Sequence, residues 1–277
     1  MDSHIIRIDD GKTLTFNGYA DDVYFQNLSA FHAQNHQLRR FIPSLPADAV
    51  VLDVGANIGL TVLTIASALP GGRVYGFEPS PRNAHYLREN VRLNEVDNVV
   101  IVETAVGEGD GVVSFHLAPS GAHSSVIRGK APKAPNIADV PIISLDNWAT
   151  ANRIARVDFI KIDVEGYEQN VLAGAANLLA DQRPLVLMEF NSVTIAFEAR
   201  LSPLVFVESL ISAFDIFSVA EDANLVPITN ADLRGFVFKN MTEHGCVDDI
   251  FLRPRVGLTA SDIRRAASTR GADRPAT

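Results

Sequence analysis

The residues whose types and spacing could do chemistry begin with VVLDVGANIGL, residues 50–60, where an apolar run delivers Asp53 to a tight turn of Gly55, Ala56, Asn57 and Gly59. Glycine is needed where the backbone takes unusual angles or lets a ligand approach closely. The spacing is G-x-x-x-G, and Asn57 stands where a dinucleotide fingerprint would have its second glycine. A carboxylate beside such a turn repels a pyrophosphate and favours a ligand carrying an ammonium or sulfonium group. Phe77-Glu78-Pro79 follows, with Glu78 23 residues after Gly55. An acidic side chain at that place accepts hydrogen bonds from ribose hydroxyls. Ribose without diphosphate, next to a cation, describes S-adenosylmethionine.

A second concentration of reactive types lies in DFIKIDVEGYE, residues 158–168. Lys161 and Asp163 fall on one face of the strand read here, and Glu165 follows at its end. In open α/β sheets ligands sit outside the carboxyl ends of the strands. Asp163 and Glu165 are therefore the leading catalytic candidates, one as base or orienting group, the other binding acceptor or cofactor ammonium. The structural alternative for Glu165 is capping of the next helix. Lys161 inside an apolar strand requires a carboxylate partner, and it reads equally as a salt bridge or a catalytic group. Asp163, Glu189 and Asn191 form a weak oxygen set for Mg²⁺ or Ca²⁺, a metal that is not expected. His123, beside Ser124 and Ser125, could reach an acceptor oxygen, and Glu103 is a weaker cofactor-side candidate. Tyr24, Phe25, Trp148 and Phe197 could line an acceptor pocket, although each type more often packs a core.

Strand–turn–helix alternation must position these groups. From residue 49 apolar strands alternate with helices: strands at 49–54, 73–77, 99–103, 157–164 and 185–190, helices at 60–69, 81–93, 168–180 and 204–214, and late strands near 216–220 and 249–253. This grammar predicts a doubly wound, mostly parallel α/β sheet. A β-rich insertion follows residue 110, with 118–138 as a long loop of lid type. Residues 1–46 read as a helical N-terminal cap, 47–253 as the catalytic domain, and 254–277 as an Arg-rich, frayed tail.

The chain resembles the FkbM family of S-adenosylmethionine-dependent methyltransferases over roughly residues 50–253. The residues that carry the likeness are the Asp53–Gly59 turn, Phe77-Glu78-Pro79-Ser80-Pro81 with Leu87, Asn90 and Leu93-Asn94, Ala105-Val106-Gly107, Ser144-Leu145-Asp146, and above all the 158–168 string. The resemblance implies a Rossmann-like, seven-stranded class I sheet with one antiparallel strand, and O-methylation of a small-molecule, sugar or natural-product hydroxyl. It also implies that Asp53, Gly55, Asn57 and Gly59 hold the methionine part of the cofactor, with Ala56 and Pro79 beside them. Glu78 would take the ribose hydroxyls, Ala105 would lie along the adenine, and Asp163 would face the same ligand.

Composition sets the bounds. The 277 residues carry a net charge of −9, with 47% hydrophobic and 21% charged side chains, which excludes disorder, collagen and coiled coil. An acidic body argues against a nucleic-acid substrate. Cys246, the single cysteine, makes no intrachain disulfide. No apolar run approaches a membrane span, and no secretory signal is read at the start, so a cytoplasmic location is expected. The cap helices offer a homodimer contact. A nicotinamide-dependent oxidoreductase and a non-catalytic protein with a degenerate pocket are the alternative readings.

Overall fold

The structure is a computed structural model that describes all residues except 1, 9–10, 35, 119–123, 129–133, 220–223 and 269–277. Its first element is a hairpin, β1 (Asp2–Arg7) and β2 (Thr13–Gly18), paired antiparallel. Leu14 and Phe16 alternate inward, a period-2 pattern that marks a half-buried strand. The short helices α1 (Val23–Gln26), α2 (Leu28–Gln34) and α3 (His36–Phe41) follow, α1 being started by Asp22, whose carboxylate accepts from Tyr24 N–H at 2.8 Å. The cap is therefore not purely helical, as expected from sequence, but a hairpin with helices behind it. Two asparagines of a later helix hold it: Asn90 exchanges hydrogen bonds with the backbone of Asn17, and Asn94 with that of Thr15.

The central sheet starts with β3 (Val50–Val54), α4 (Leu60–Ala68), β4 (Arg73–Phe77), α5 (Pro81–Leu93) and β5 (Val99–Val102). Four strands of a smaller sheet come next: β6 (Ala105–Val106), β7 (Gly111–His116), β8 (Ser125–Val126) and β9 (Ile137–Ile143). The chain then runs through α6 (Leu145–Ala151), β10 (Phe159–Ile162), α7 (Glu168–Gly174), α8 (Ala176–Asp181) and β11 (Leu185–Asn191). After α9 (Ser192–Phe197), α10 (Pro203–Leu210), β12 (Phe214–Val219), β13 (Leu225–Ile228) and α11 (Leu233–Thr242), it closes with β14 (Val247–Pro254) and α12 (Ala260–Ala267).

The large sheet has the order β13-β12-β14-β11-β10-β3-β4-β5. Strands β3, β4, β5, β10 and β11 are parallel, and β14 runs antiparallel between β11 and β12. Seven of the eight strands match the expected sheet, and β13 adds an eighth, antiparallel edge. Parallel strands covered on both faces read as continuous apolar runs, which is why β3 and β10 are legible as VVLDV and FIKI. One face packs Leu52, Ile160, Val186 and Leu252 against the helices after β9; the other packs Val51, Phe159, Leu187 and Phe251 against α4, Leu38 and Ile42. Strand order reverses between β3 and β10, and their carboxyl ends open the crevice where such sheets bind ligands.

Two further expectations are corrected. Residues 118–138 are not an unbroken loop, because β8 pairs with β7 and β9 begins at Ile137. Residues 260–267 are not a frayed tail. Thr259 and Asp262 form a capping box, and Ile263, Ala266 and Ala267 are buried where α12 packs against α7 and α8. Among the described residues no helix is long and apolar enough to cross a membrane.

Candidate active site

A cavity of about 660 Å³ opens at this reversal point. Its near wall is the β3–α4 turn. The N–H groups of Gly55 and Ala56 both donate to the Phe77 carbonyl at 3.0 Å, locking the turn to the end of β4. Gly55 sits at φ +92°, and a methyl group there would overlap the Asp163 carbonyl oxygen. Only glycine fits where the two strand ends touch so closely. Asn57 takes φ +50°, a left-handed conformation that asparagine tolerates.

Glu78 ties the second strand to the same turn. Its Oε2 accepts from Asn57 N–H and its Oε1 from Ser80 N–H, both at 2.8 Å, and the Asn83 side chain adds a further bond. The carboxyl still lines the cavity, with lone pairs left for another donor. Burial pushes it up to about 7 despite the N–H groups that favour its ionised form. Asp53 lies beneath the turn rather than on the cavity wall, fully buried, with no hydrogen-bond partner at either oxygen. Burial raises it to about 6, against the pull of Lys161. An unpartnered carboxyl is costly unless a cation answers it. Gly59, at φ +98° before α4, also shapes the turn from behind, where it packs against Leu87.

The far wall comes from β10 and its neighbours. Lys161 Nζ lies 2.8 Å from Asp163 Oδ2, so the buried lysine has the carboxylate partner that its position demanded. Burial works to remove its proton, but Asp163 and Asp53 hold it above the ordinary lysine value. Glu165 bends away at φ +54° and is pushed up to about 9, chiefly by burial and then by Asp163. No side chain caps α7; Glu168 in its first turn reaches back to the preceding loop, its Oε1 accepting from Gly166 N–H at 3.1 Å and Val164 N–H at 3.3 Å. Glu189 also lines the cavity, held well above the usual range by burial, Asp163 and Glu165, with Oε2 unpartnered.

The structure thus brings Lys161, Asp163, Glu165, Glu189, Asn191, Gly55, Ala56, Asn57, Glu78, Pro79 and Ala105 to one cavity. The weak metal set of Asp163, Glu189 and Asn191 is among them. Asn191 Oδ1 is committed to the Val193 and Thr194 N–H groups as the cap of α9, and among the described residues no three His, Cys, Asp or Glu side chains are placed to hold an ion. Glu103 is half-exposed and pairs with Arg88, off the cavity wall. His123 lies outside the described residues. Of the four aromatics, Tyr24 lines the cavity, Phe25 and Trp148 are core, and Phe197 is exposed.

Several wall residues escaped the sequence reading. Asn83 sits one turn into α5, a polar buried position after the Ser80 cap. Tyr167 and Phe115 join the cavity from the start of α7 and from the small sheet. His244, Asp248 and Asp249 reach it from the α11–β14 corner, with His244 Nδ1 2.9 and 3.0 Å from the two Asp248 oxygens.

A seven-strand core with one reversed strand, a glycine turn flanked by Asp53, and the acid Glu78 directly after the next strand define a methyltransferase of the S-adenosylmethionine-dependent class. Residues 53–223 match the methyltransferase FkbM domain, and the chain belongs to that family. It is 28% identical over 185 residues to 2-O-methyltransferase NoeI of Sinorhizobium fredii, a match covering 61% of this chain and 73% of that one. It is 29% identical over 169 residues to hexuronic acid methyltransferase AglP of Haloferax volcanii, covering 60% and 63%. It is 30% identical over 165 residues to 31-O-demethyl-FK506 methyltransferase FkbM of Streptomyces tacrolimicus, covering 50% and 63%. The enzyme is a methyltransferase and its methyl donor is S-adenosylmethionine.

Proposed function

We propose that this methyltransferase acts on a hydroxyl oxygen of a small molecule, a sugar or polyketide-type natural product, as a cytoplasmic enzyme without a nucleic-acid partner. The observation that carries the cofactor side is Glu78, which braces the Asn57 turn while presenting its carboxyl to the cavity. In this reading Glu78 takes the ribose hydroxyls, Ala105 and Pro79 flank the base, and the Gly55–Asn57 backbone holds the methionine part. The unpartnered Asp53 carboxyl, with Asp163, supplies the negative field that the donor's ammonium and sulfonium require. When bound, S-adenosylmethionine supplies a methyl group on positively charged sulfur. What the chain contributes is position: donor and acceptor held in contact gain several kcal/mol from orientation alone, on the order of 7–11 in favourable cases. Lys161 fixes Asp163 through their 2.8 Å ion pair, while Glu165, holding its proton near neutral pH, donates to an acceptor oxygen.

Oxygen selectivity is supported by the relatives named as 2-O- and 31-O-demethyl methyltransferases, and a sugar-type acceptor by AglP, named for hexuronic acid. No metal is required in this reading, because Asn191 is spent on α9. A nicotinamide cofactor fits poorly, since Asp53 and Glu78 flank the turn where its diphosphate would lie. The test is transfer of label from [methyl-³H]S-adenosylmethionine, with EDTA present, to a panel of neutral hexosides, hexuronic acids, a macrolide polyol and simple amines. Label in a hydroxylated acceptor is expected. Label confined to amines contradicts oxygen transfer, and loss of transfer with EDTA contradicts metal independence.

A further inference from the structure

At the corner between α11 and β14, the His244 ring stands against both carboxylate oxygens of Asp248, through Nδ1 at 2.9 and 3.0 Å. Asp248 is in turn held by Asn240, which is fully buried and donates from Nδ2 to Asp248 Oδ2 at 2.8 Å and to the Phe190 carbonyl at 3.2 Å. The loop is fixed as well: the His244 N–H donates to the Lys239 carbonyl at 3.1 Å, and Cys246 N–H to the Asn240 carbonyl at 2.8 Å. An acid that accepts from Nδ1–H leaves Nε2 as the ring's proton acceptor, the arrangement that prepares an imidazole for base catalysis. His244 and Asp248 both line the cavity that holds Asp163, Glu165 and Glu189.

The other titratable groups on that wall are poorly suited to take a proton. Asp163 is ion-paired to Lys161 at 2.8 Å. Glu165 and Glu189 are crowded by carboxylates and buried, so they retain their own protons. Glu189 stands directly across the β11–β14 pair from Asp249, a like charge that adds to the burial disfavouring ionisation of Glu189. His244 is half-exposed at the mouth, with solvent available to carry a proton away.

We infer that His244 is the general base of methyl transfer, with Asp248 and Asn240 as its positioning residues; the inference rests on the hydroxyl-acceptor reading. The acceptor oxygen forms its bond to the methyl carbon as the carbon–sulfur bond breaks with its electron pair on sulfur. The hydroxyl proton passes to Nε2 of His244, and the imidazolium returns it to water.

The test uses full-length protein and the hydroxylated acceptor methylated in the label-transfer panel. General-base catalysis contributes typically 10²–10⁴-fold, so His244→Ala lowers kcat by about 100-fold or more while KM stays within about threefold. S-adenosylmethionine affinity by calorimetry is unchanged, and added imidazole restores part of the lost rate. Asp248→Asn, which favours the wrong tautomer, lowers kcat by about 10- to 100-fold. A second readout is independent of turnover. Long-range ¹H–¹⁵N spectra of histidine-labelled protein, with the ring assigned by its absence in His244→Gln, show an Nδ1-protonated neutral ring in wild type that is lost in Asp248→Ala. A His244→Ala kcat within about threefold of wild type overturns the inference, as does a loss appearing wholly as weaker cofactor binding or a neutral ring protonated at Nε2. Cofactor binding with no hydroxyl in the panel methylated refutes the acceptor reading separately, and the tautomer then decides whether the dyad is built as described.

Discussion

Around the β3 turn, groups that face the cavity are braced by backbone: Glu78 receives two N–H donors, and Gly55 and Ala56 both bond the Phe77 carbonyl. At the ends of β11 and β14, Glu189 and Asp249 face each other across paired strands, and one Glu189 oxygen has no partner. The first wall comes from residues within about one βαβ unit, where local backbone geometry suffices. The second joins side chains some 60 positions apart, where like-charged groups are set against one another. A donor site must fit one invariant ligand, so rigid backbone serves it; an acceptor site can be assembled from side chains whose protonation answers the occupant.

The largest effect is expected where the walls touch. Gly55→Ala forces a methyl group into the Asp163 carbonyl at a positive φ. It is expected to cost at least about 3 kcal/mol, a fall of roughly 6–12 °C in melting temperature, and to abolish detectable cofactor binding. A protein that melts and binds as wild type would show that the two strand ends have room to part.

Lys161→Met removes the cation shared by both walls. Asp163 is about a third exposed and can recruit water, so the cost is expected near 2 kcal/mol rather than the 3–5 of a fully buried pair. Cofactor affinity falls about tenfold, as the buried Asp53 loses the cation that favours its ionised form. Calorimetry against thermal melting separates the two losses.

Opposite pH trends are expected for the free and loaded protein. Asp53, Glu78 and Glu165 are raised to about 6, 7 and 9 by burial, above their unfolded values of 3.8, 4.5 and 4.5. The folded state therefore holds more protons between roughly pH 4 and 9, and unfolding free energy falls as pH rises through that window. The free protein should melt higher at pH 6 than at pH 8.5. The added stabilisation by S-adenosylmethionine should grow over the same interval, because its cation favours the ionised carboxyls. A free-protein melting point that rises with pH would refute the burial argument.

Asn191→Ala should have the smallest effect. Losing the α9 cap costs about 1 kcal/mol, and cofactor affinity stays unchanged. A large change in affinity would mean that the Asn191 oxygen contacts the ligand instead of serving the helix.

The same contrast explains what was legible in the sequence. Asp53, Gly55, Asn57 and Glu78 share a short, ordered βαβ unit, so local spacing found them. The parallel core was legible because strands buried on both faces are unbroken apolar runs. The β1–β2 hairpin was missed although Ile6 and Ile8 on one side and Leu14 and Phe16 on the other alternate about a glycine turn. Its burial depends on Asn90 and Asn94, more than 70 residues later. The α12 helix buries a short stripe, Ile263, Ala266 and Ala267, interrupted by Arg264 and Arg265; the Thr259–Asp262 box was its visible signal. His244 and Asp248 form an i,i+4 pair that gains meaning only from the β11–β14 pairing.

The most direct measurement is calorimetric titration of S-adenosylmethionine into wild type and Glu78→Ala, with NADH as a control. Deleting a carboxylate that braces the turn and lines the cavity removes two charge-assisted hydrogen bonds, each worth roughly 1.5–3 kcal/mol. The expected result is one S-adenosylmethionine per wild-type chain, no NADH binding, and affinity lower by about 100-fold or more in a folded Glu78→Ala protein. Equal affinity in the two proteins, or binding of NADH in place of S-adenosylmethionine, would contradict the placement of the donor at this turn.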